Sequence, residues 1–244
     1  MRLPKEWEHL LSNSFDLNRF YLQLDCFLKQ FGDRVIPEAS LLFNVFHYVK
    51  PNEVRCILFG EDPYPRKSSA CGVAFWDKEV SSWDQKTNGN SLKNILKGIL
   101  VAKGYATYKS SIEECRAHAK KMNIFSPEYL FESWLNSGVF LLNTALTFTS
   151  KDEKKEHFSF WEPFIHAVIR ELTKRYNPYY IFWGKKAERL ESVVKEYSDQ
   201  PQIIKQGHPT FIHQFLDKTN PTYSPFTELV EKTKMNWLEI GEHK

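Results

Sequence analysis

Paired cysteines are missing from this chain. Cys26, Cys56, Cys71 and Cys115 are scattered, no CxxC pair occurs, and the single CxxH, Cys115 with His118, has no second pair to complete a metal site. That spacing argues against zinc or an iron–sulfur cluster and for reduced thiols in an intracellular protein. Long apolar runs are missing as well. No window approaches the roughly 18 apolar residues of a membrane-spanning helix, and the opening MRLPKEWEHLL lacks the apolar stretch of a signal peptide. The expected location is the cytoplasm, or the nucleus in a eukaryote. A strong charge of one sign is absent too: the net charge is only +3. Any nucleic-acid surface therefore has to come from local clustering. Repeats and low-complexity linkers are lacking. The expectation is a single domain over residues 1–244, monomeric, with helices in residues 1–50 packed on the rest.

What is present is material for a large core. The 244 residues are 42% hydrophobic and 15% aromatic, which argues against disorder. Val54 to Phe59 reads as a buried strand, closed by Gly60 and followed by Glu61, Asp62, Pro63 and Pro65. The prolines stiffen the exit of that strand. Val139 to Thr144 predicts a second buried strand, Tyr179 to Trp183 a third, closed by Gly184, and Gln202 to Lys205 a short fourth. Between them lie helical patterns: 5–31, ended by Gly32; 37–48; a helix opened by Ser91 as N-cap after an Asn88-Gly89-Asn90 loop; 111–122; 126–135; 161–175; 185–197; and 224–234. Residues 149–157 read as a charged loop. Strands alternating with helices predict an α/β fold with a largely parallel sheet.

Asp62, Asn143, Gly184 and His208 each fall at or just past the carboxyl end of a predicted strand. In a parallel sheet those ends share one edge, where such folds place their chemistry. A carboxylate, an amide and an imidazole then face one crevice, and Phe75 supplies an apolar floor. Each residue alone has an ordinary explanation. Asn143 either bonds the neighbouring backbone or reads a ligand edge with both a donor and an acceptor. Ser91 is either a cap, the commoner role, or a phosphate contact at a helix N-terminus.

Five ordered segments carry a resemblance. Gly60-Glu61-Asp62-Pro63-Tyr64, Gly72-Val73-Ala74-Phe75, Leu141-Leu142-Asn143-Thr144-Ala145-Leu146-Thr147, Phe182-Trp183-Gly184-Lys185-Lys186-Ala187 and His208-Pro209-Thr210 resemble the motifs of family 1 uracil-DNA glycosylases. The resemblance covers roughly residues 51–237. It implies a three-layer α/β/α domain with a four-stranded parallel sheet. It also implies hydrolysis of the N-glycosidic bond of a flipped-out uracil in DNA, with neither metal nor cofactor. By that resemblance Asp62 positions water and favours the cationic sugar, and His208 hydrogen-bonds uracil O2. Asn143 reads O4 and N3–H, Phe75 stacks on the base, Tyr64 crowds C5, and the backbone at Glu61 lies near O2. Ser91 and Thr210 match phosphate-contacting hydroxyls, and Ile212 falls where the family has an intercalating leucine. An apolar wedge suits the gap left by an extruded base; a buried loop anchor is the alternative for Ile212. Arg66, Lys67, Lys185 and Lys186, with His213 in the same loop as Ile212, are candidates to hold the DNA backbone.

The chain also departs from the pattern. Glu61 replaces a glutamine, Pro65 a histidine and Thr149 an arginine. Gly89-Asn90 stands where the family is proline-rich, and the final loop reads Thr-Phe-Ile-His-Gln-Phe. Two alternatives follow: a glycosylase for another pyrimidine, such as a modified cytosine in foreign DNA, or a DNA-binding or replication-partner module with weak or no catalysis. In the latter, charged residues 101–125 serve as a docking surface for an unknown protein.

Overall fold

The computed structural model describes residues 1–85, 89–124 and 126–241; Asn88 of the expected 88–90 loop lies outside them. The four apolar runs form the four strands: β1 (Cys56–Gly60), β2 (Val139–Asn143), β3 (Tyr179–Trp183) and β4 (Ile203–Gln206). They build one sheet of order β2-β1-β3-β4 with every pairing parallel. β1 is central, and its last residue, Gly60, lies opposite Asn143, the last of β2. Both strands are buried throughout, as a sheet covered on two faces requires.

The helices are α1 (Lys5–Leu11), α2 (Leu17–Phe31), α3 (Asn44–Tyr48), α4 (Asn90–Ala102), α5 (Ile112–Lys121), α6 (Pro127–Asn136), α7 (Lys154–Arg175), α8 (Glu191–Tyr197), α9 (Ile212–Phe215) and α10 (Pro225–Thr233). They occupy both faces of the sheet. Side chains alternate along a strand, so Phe140, Phe59, Tyr180 and Phe182 share one face. There Phe140 stacks on Trp7 of α1 at 4.9 Å, and the Tyr180 hydroxyl meets Thr173 of α7 at 2.5 Å. Asn143 and Trp183 belong to the opposite face, where Trp183 packs against Phe215 of α9 and Phe226 of α10. Each such ring pair contributes about 0.5–1.5 kcal/mol beyond its buried area. Buried residues from α1 and α2 join the same contiguous core as those of the sheet.

Several boundaries differ from the sequence expectation. The single stretch 5–31 is two helices, because Asp16 caps a new one by accepting from the Arg19 N–H. Residues 37–48 hold a 3-10 turn (Ala39–Leu41) before α3, and 185–197 a 3-10 turn (Ala187–Leu190) before α8. The loop at 207–213 runs into α9. Ser91 is not an N-cap: Gly89 holds that position, and Ser91 is the second residue of α4. The largest difference is α7. It begins at Lys154, so the second half of the expected 149–157 loop is its first turn. Pro163 sits inside it; a proline is common at a helix start, which is why the sequence suggests an origin near Trp161.

Candidate active site

The sheet's carboxyl edge is shaped first by two glycines. A Cβ on Gly60 would sit 2.2 Å from Asn143 Oδ1 and 2.7 Å from Ala74 Cβ. Only the missing side chain lets the amide lie across the end of β1. The two strand exits are then fastened together. The Thr144 N–H donates to Gly60 O, while the Ala145 N–H (3.1 Å) and the Thr144 hydroxyl (2.8 Å) both donate to Glu61 O. Gly184, at φ +86°, performs the same service after β3: a Cβ there would meet His208 Cβ at 2.8 Å.

Phe75 stands between these two close approaches. Its neighbour Ala74 donates its N–H to Leu141 O in β2, and its ring lies 5.3 Å from Trp183 and 6.3 Å from His208. Phe75 holds φ +67°, an uncommon conformation for a bulky residue. The Tyr64 hydroxyl donates to Phe75 O at 3.1 Å, and Tyr64 packs on Ile36, Ala70 and Phe148. Such strain persists where the surroundings over-determine it.

His208 is half-buried, and the Thr210 N–H donates to its Nδ1 at 3.1 Å. That bond makes Nδ1 the lone-pair nitrogen, so a neutral ring carries its proton on Nε2. Burial pushes its pKa below the ordinary histidine value, against the pull of Glu61 and with the push of Lys186. The imidazole is therefore neutral with an N–H to offer. Asn143 is 7% exposed, and its amide has no hydrogen-bond partner among the described residues. A buried amide with its donors and acceptor unused is prepared for a ligand.

The acid turn carries a feature absent from the sequence reading. Lys154 Nζ, from the first residue of α7, lies 2.8 Å from Glu61 Oε1 and 3.0 Å from Asp62 Oδ2. Lys186 Nζ reaches the same Glu61 oxygen at 2.6 Å. Burial drives the Glu61 carboxyl up, but the two lysines outweigh it and hold the pKa below the usual carboxylate range. Asp62 has its pKa raised by burial and by Glu61, with Lys154 opposing. No sequence signal points to Lys154, because a long-range ion pair leaves no periodicity.

The outer residues divide. Ser91 Oγ and Thr210 Oγ1 are 2.7 Å apart, joining the start of α4 to the loop after β4, and Asn94 donates to Pro209 O beside them. Lys67, Lys185 and His213 are exposed. Arg66 is not free: its guanidinium bonds Asp77, Glu79 and Ser69 and folds the loop on itself. Ile212 is half-buried against the core, whereas its neighbour Phe211 is 50% exposed. Among the described residues no group of three or more His, Cys, Asp or Glu side chains is placed to hold a metal ion. No helix among them is long and apolar enough to cross a membrane.

An all-parallel sheet whose carboxyl edge carries an acid turn, a nearly buried amide and a neutral imidazole beside a braced aromatic ring defines an α/β protein with a candidate active site at that edge. The chain belongs to the uracil DNA glycosylase superfamily, whose family profile matches residues 46–234. It is 30% identical to the uracil-DNA glycosylase of Desulfitobacterium hafniense over 211 residues, covering 85% of this chain and 82% of the relative. It is 29% identical to that of Buchnera aphidicola over 241 residues, covering 96% and 98%. Among solved structures, the UNG of Nitratifractor salsuginis superposes with a TM-score of 0.71 at 31% identity over 86% of this chain and 85% of that one. The mimivirus uracil-DNA glycosylase, at 23% identity and a TM-score of 0.61 over 85% and 70%, shares the fold.

Proposed function

We propose that the chain is a DNA glycosylase that hydrolyses the N-glycosidic bond of uracil in DNA, leaving an abasic site for repair. The observation that carries this is an unpartnered, nearly buried Asn143 amide at the end of β2 together with a neutral His208 ring, 6.3 Å from Phe75, whose Nε2–H is open. A uracil edge presents a carbonyl and an N–H, which one amide satisfies by accepting and donating. The base stacks on Phe75. As the bond breaks, negative charge grows on the base and positive charge on the sugar. The Nε2–H of His208 meets the first at O2 and Asp62 meets the second, both fixed before the reaction begins.

A base inside a duplex is out of reach, so it has to be extruded at a cost of a few kcal/mol. The linked hydroxyls of Ser91 and Thr210, with Lys67 and Lys185, are the groups we assign to the phosphates. The wedge that fills the gap is Phe211 rather than Ile212, since Phe211 is the apolar side chain standing out from the loop. We assign the whole chain to one domain, a reading supported by the contiguous core. Tyr64, held by its hydroxyl bond and by packing, leaves little freedom for a substituent at C5. That favours uracil over thymine or a modified cytosine bearing a bulky group.

Incubation with single- and double-stranded DNA carrying one uracil tests the proposal. Release of free uracil and an alkali-labile strand are expected. No cleavage on either substrate, from folded protein, overturns it.

A further inference from the structure

We infer that Lys154 is a positioning residue for Asp62, and that Glu61 and Lys186 complete a four-charge bridge that holds the acid turn in place. This inference rests on the glycosylase function proposed above. The bridge runs Asp62 Oδ2 to Lys154 Nζ at 3.0 Å, Lys154 to Glu61 Oε1 at 2.8 Å, and Glu61 Oε1 to Lys186 Nζ at 2.6 Å. Two carboxylates meet two ammonium groups, so the formal charges cancel.

The geometry answers a problem set by the sequence. Glu61 and Asp62 are adjacent on a stiff turn, and two carboxylates so close would drive one pKa up. A protonated Asp62 has no charge to set against a sugar cation. Lys154 lies between the two carboxylates and touches both. Lys186 takes up the remaining charge of Glu61, which would otherwise oppose an anion forming on the base.

Lys154 is firmly mounted. Directly before it, Glu153 accepts from Arg34, Thr149 and Ser150. One turn later, His157 is bonded through both ring nitrogens, to Thr147 and Thr149. The ammonium therefore projects from a helix end pinned on both sides. The groups facing the bridge come from four places, and three of them act on Asp62. Its own turn supplies Glu61 and α7 supplies Lys154. The turn after β3 supplies Lys186. The fourth, the loop after β4, acts on the bridge rather than on Asp62 itself: its His208 feels Glu61 and Lys186.

Opposed substitutions test the bridge. The Asp62 carboxyl is followed by carbon-13 NMR in protein labelled at aspartate, with D62N to assign its signal. The acid limb of kcat/KM is measured in parallel on single-stranded uracil DNA. Removing the cation in K154M is expected to raise the Asp62 midpoint by about one pH unit or more. Removing the like charge in E61Q is expected to lower it. K154R, which keeps the charge, is expected to stay with the wild type, and the acid limb is expected to follow in each case. A midpoint unmoved in both K154M and E61Q, or moved the same way in both, overturns the inference. The NMR titration needs no turnover: a wild type inactive on uracil DNA refutes the function while the titration still decides the bridge.

Discussion

Two histidines, one buried in the first turn of α7 and one half-buried in the loop after β4, show how one side chain serves opposite ends. His157 is 1% exposed and bonded at both nitrogens. The Trp161 indole N–H donates to Thr147 Oγ1, so the Thr147 hydroxyl points its proton at His157 Nδ1. His157 Nε2–H then donates to Thr149, whose hydroxyl donates to Glu153. Every donor has one acceptor and nothing is left over. His208 has the same kind of bond at Nδ1, from the Thr210 N–H, and keeps Nε2 open. A saturated imidazole holds the fold together; one with a vacant N–H is ready for something outside the chain. Burial lowers the pKa of both, so the difference lies in the partners and not in the charge.

The contrast is open to direct attack. His208→Ala is expected to cost about 100- to 1,000-fold in kcat, the usual loss when one oxyanion donor is removed, with the melting temperature nearly unchanged. A loss below tenfold in steady-state assays on uracil DNA would place the anion's partner elsewhere. His157→Leu is expected to do the reverse. It leaves the Thr147 hydroxyl without an acceptor and costs about 1–3 kcal/mol of stability, read from denaturant melts, while kcat of the folded fraction falls far less than in His208→Ala. At the exposed tip, Phe211→Ala is expected to lower activity on duplex DNA more than on single strands, and Ile212→Ala to act mainly through stability. Equal effects of the two on the ratio of duplex to single-strand rates would break the wedge assignment.

The smallest effect is that of pH. Both folded-state histidine values lie below the unfolded one of about 6.5. The unfolded chain therefore binds protons first as pH falls. Stability is full above about pH 6.5 and declines below it, toward the folded values. Urea melts at about pH 7.5 and 5.5 are expected to show that decline, with a shallower slope in His157→Leu.

Much of this was legible in the residues. The strands were legible because runs such as Phe140-Leu141-Leu142 and Tyr180-Ile181-Phe182 have no stable place except a sheet covered on both sides. Their polar end residues marked the candidate site, since a parallel sheet collects those ends at one edge. The start of α7 was hidden. Lys154, Lys155, Glu156 and His157 look solvated, and Pro163 imitates a helix start. The signal available was spacing: His157, Trp161, Ile165 and Ile169 recur every four residues and all are buried. Lys154 with Glu61, and Phe211 with Ile212, were beyond reach. Which lysine closes an ion pair, and which of two adjacent apolar side chains turns outward, depends on contacts made across more than 90 residues of chain in the first case and on local backbone direction in the second.

The strand order has a consequence for the timing of synthesis. β1 lies between β2 and β3, and β4 joins last, against β3. The acid follows the first strand made and the imidazole follows the final one, so the ribosome has to deliver more than 200 residues before the two can meet. Parallel pairing over such separations forms late. A nascent or truncated chain ending before β4 lacks His208, and with it the donor we assign to the anion that forms on the base.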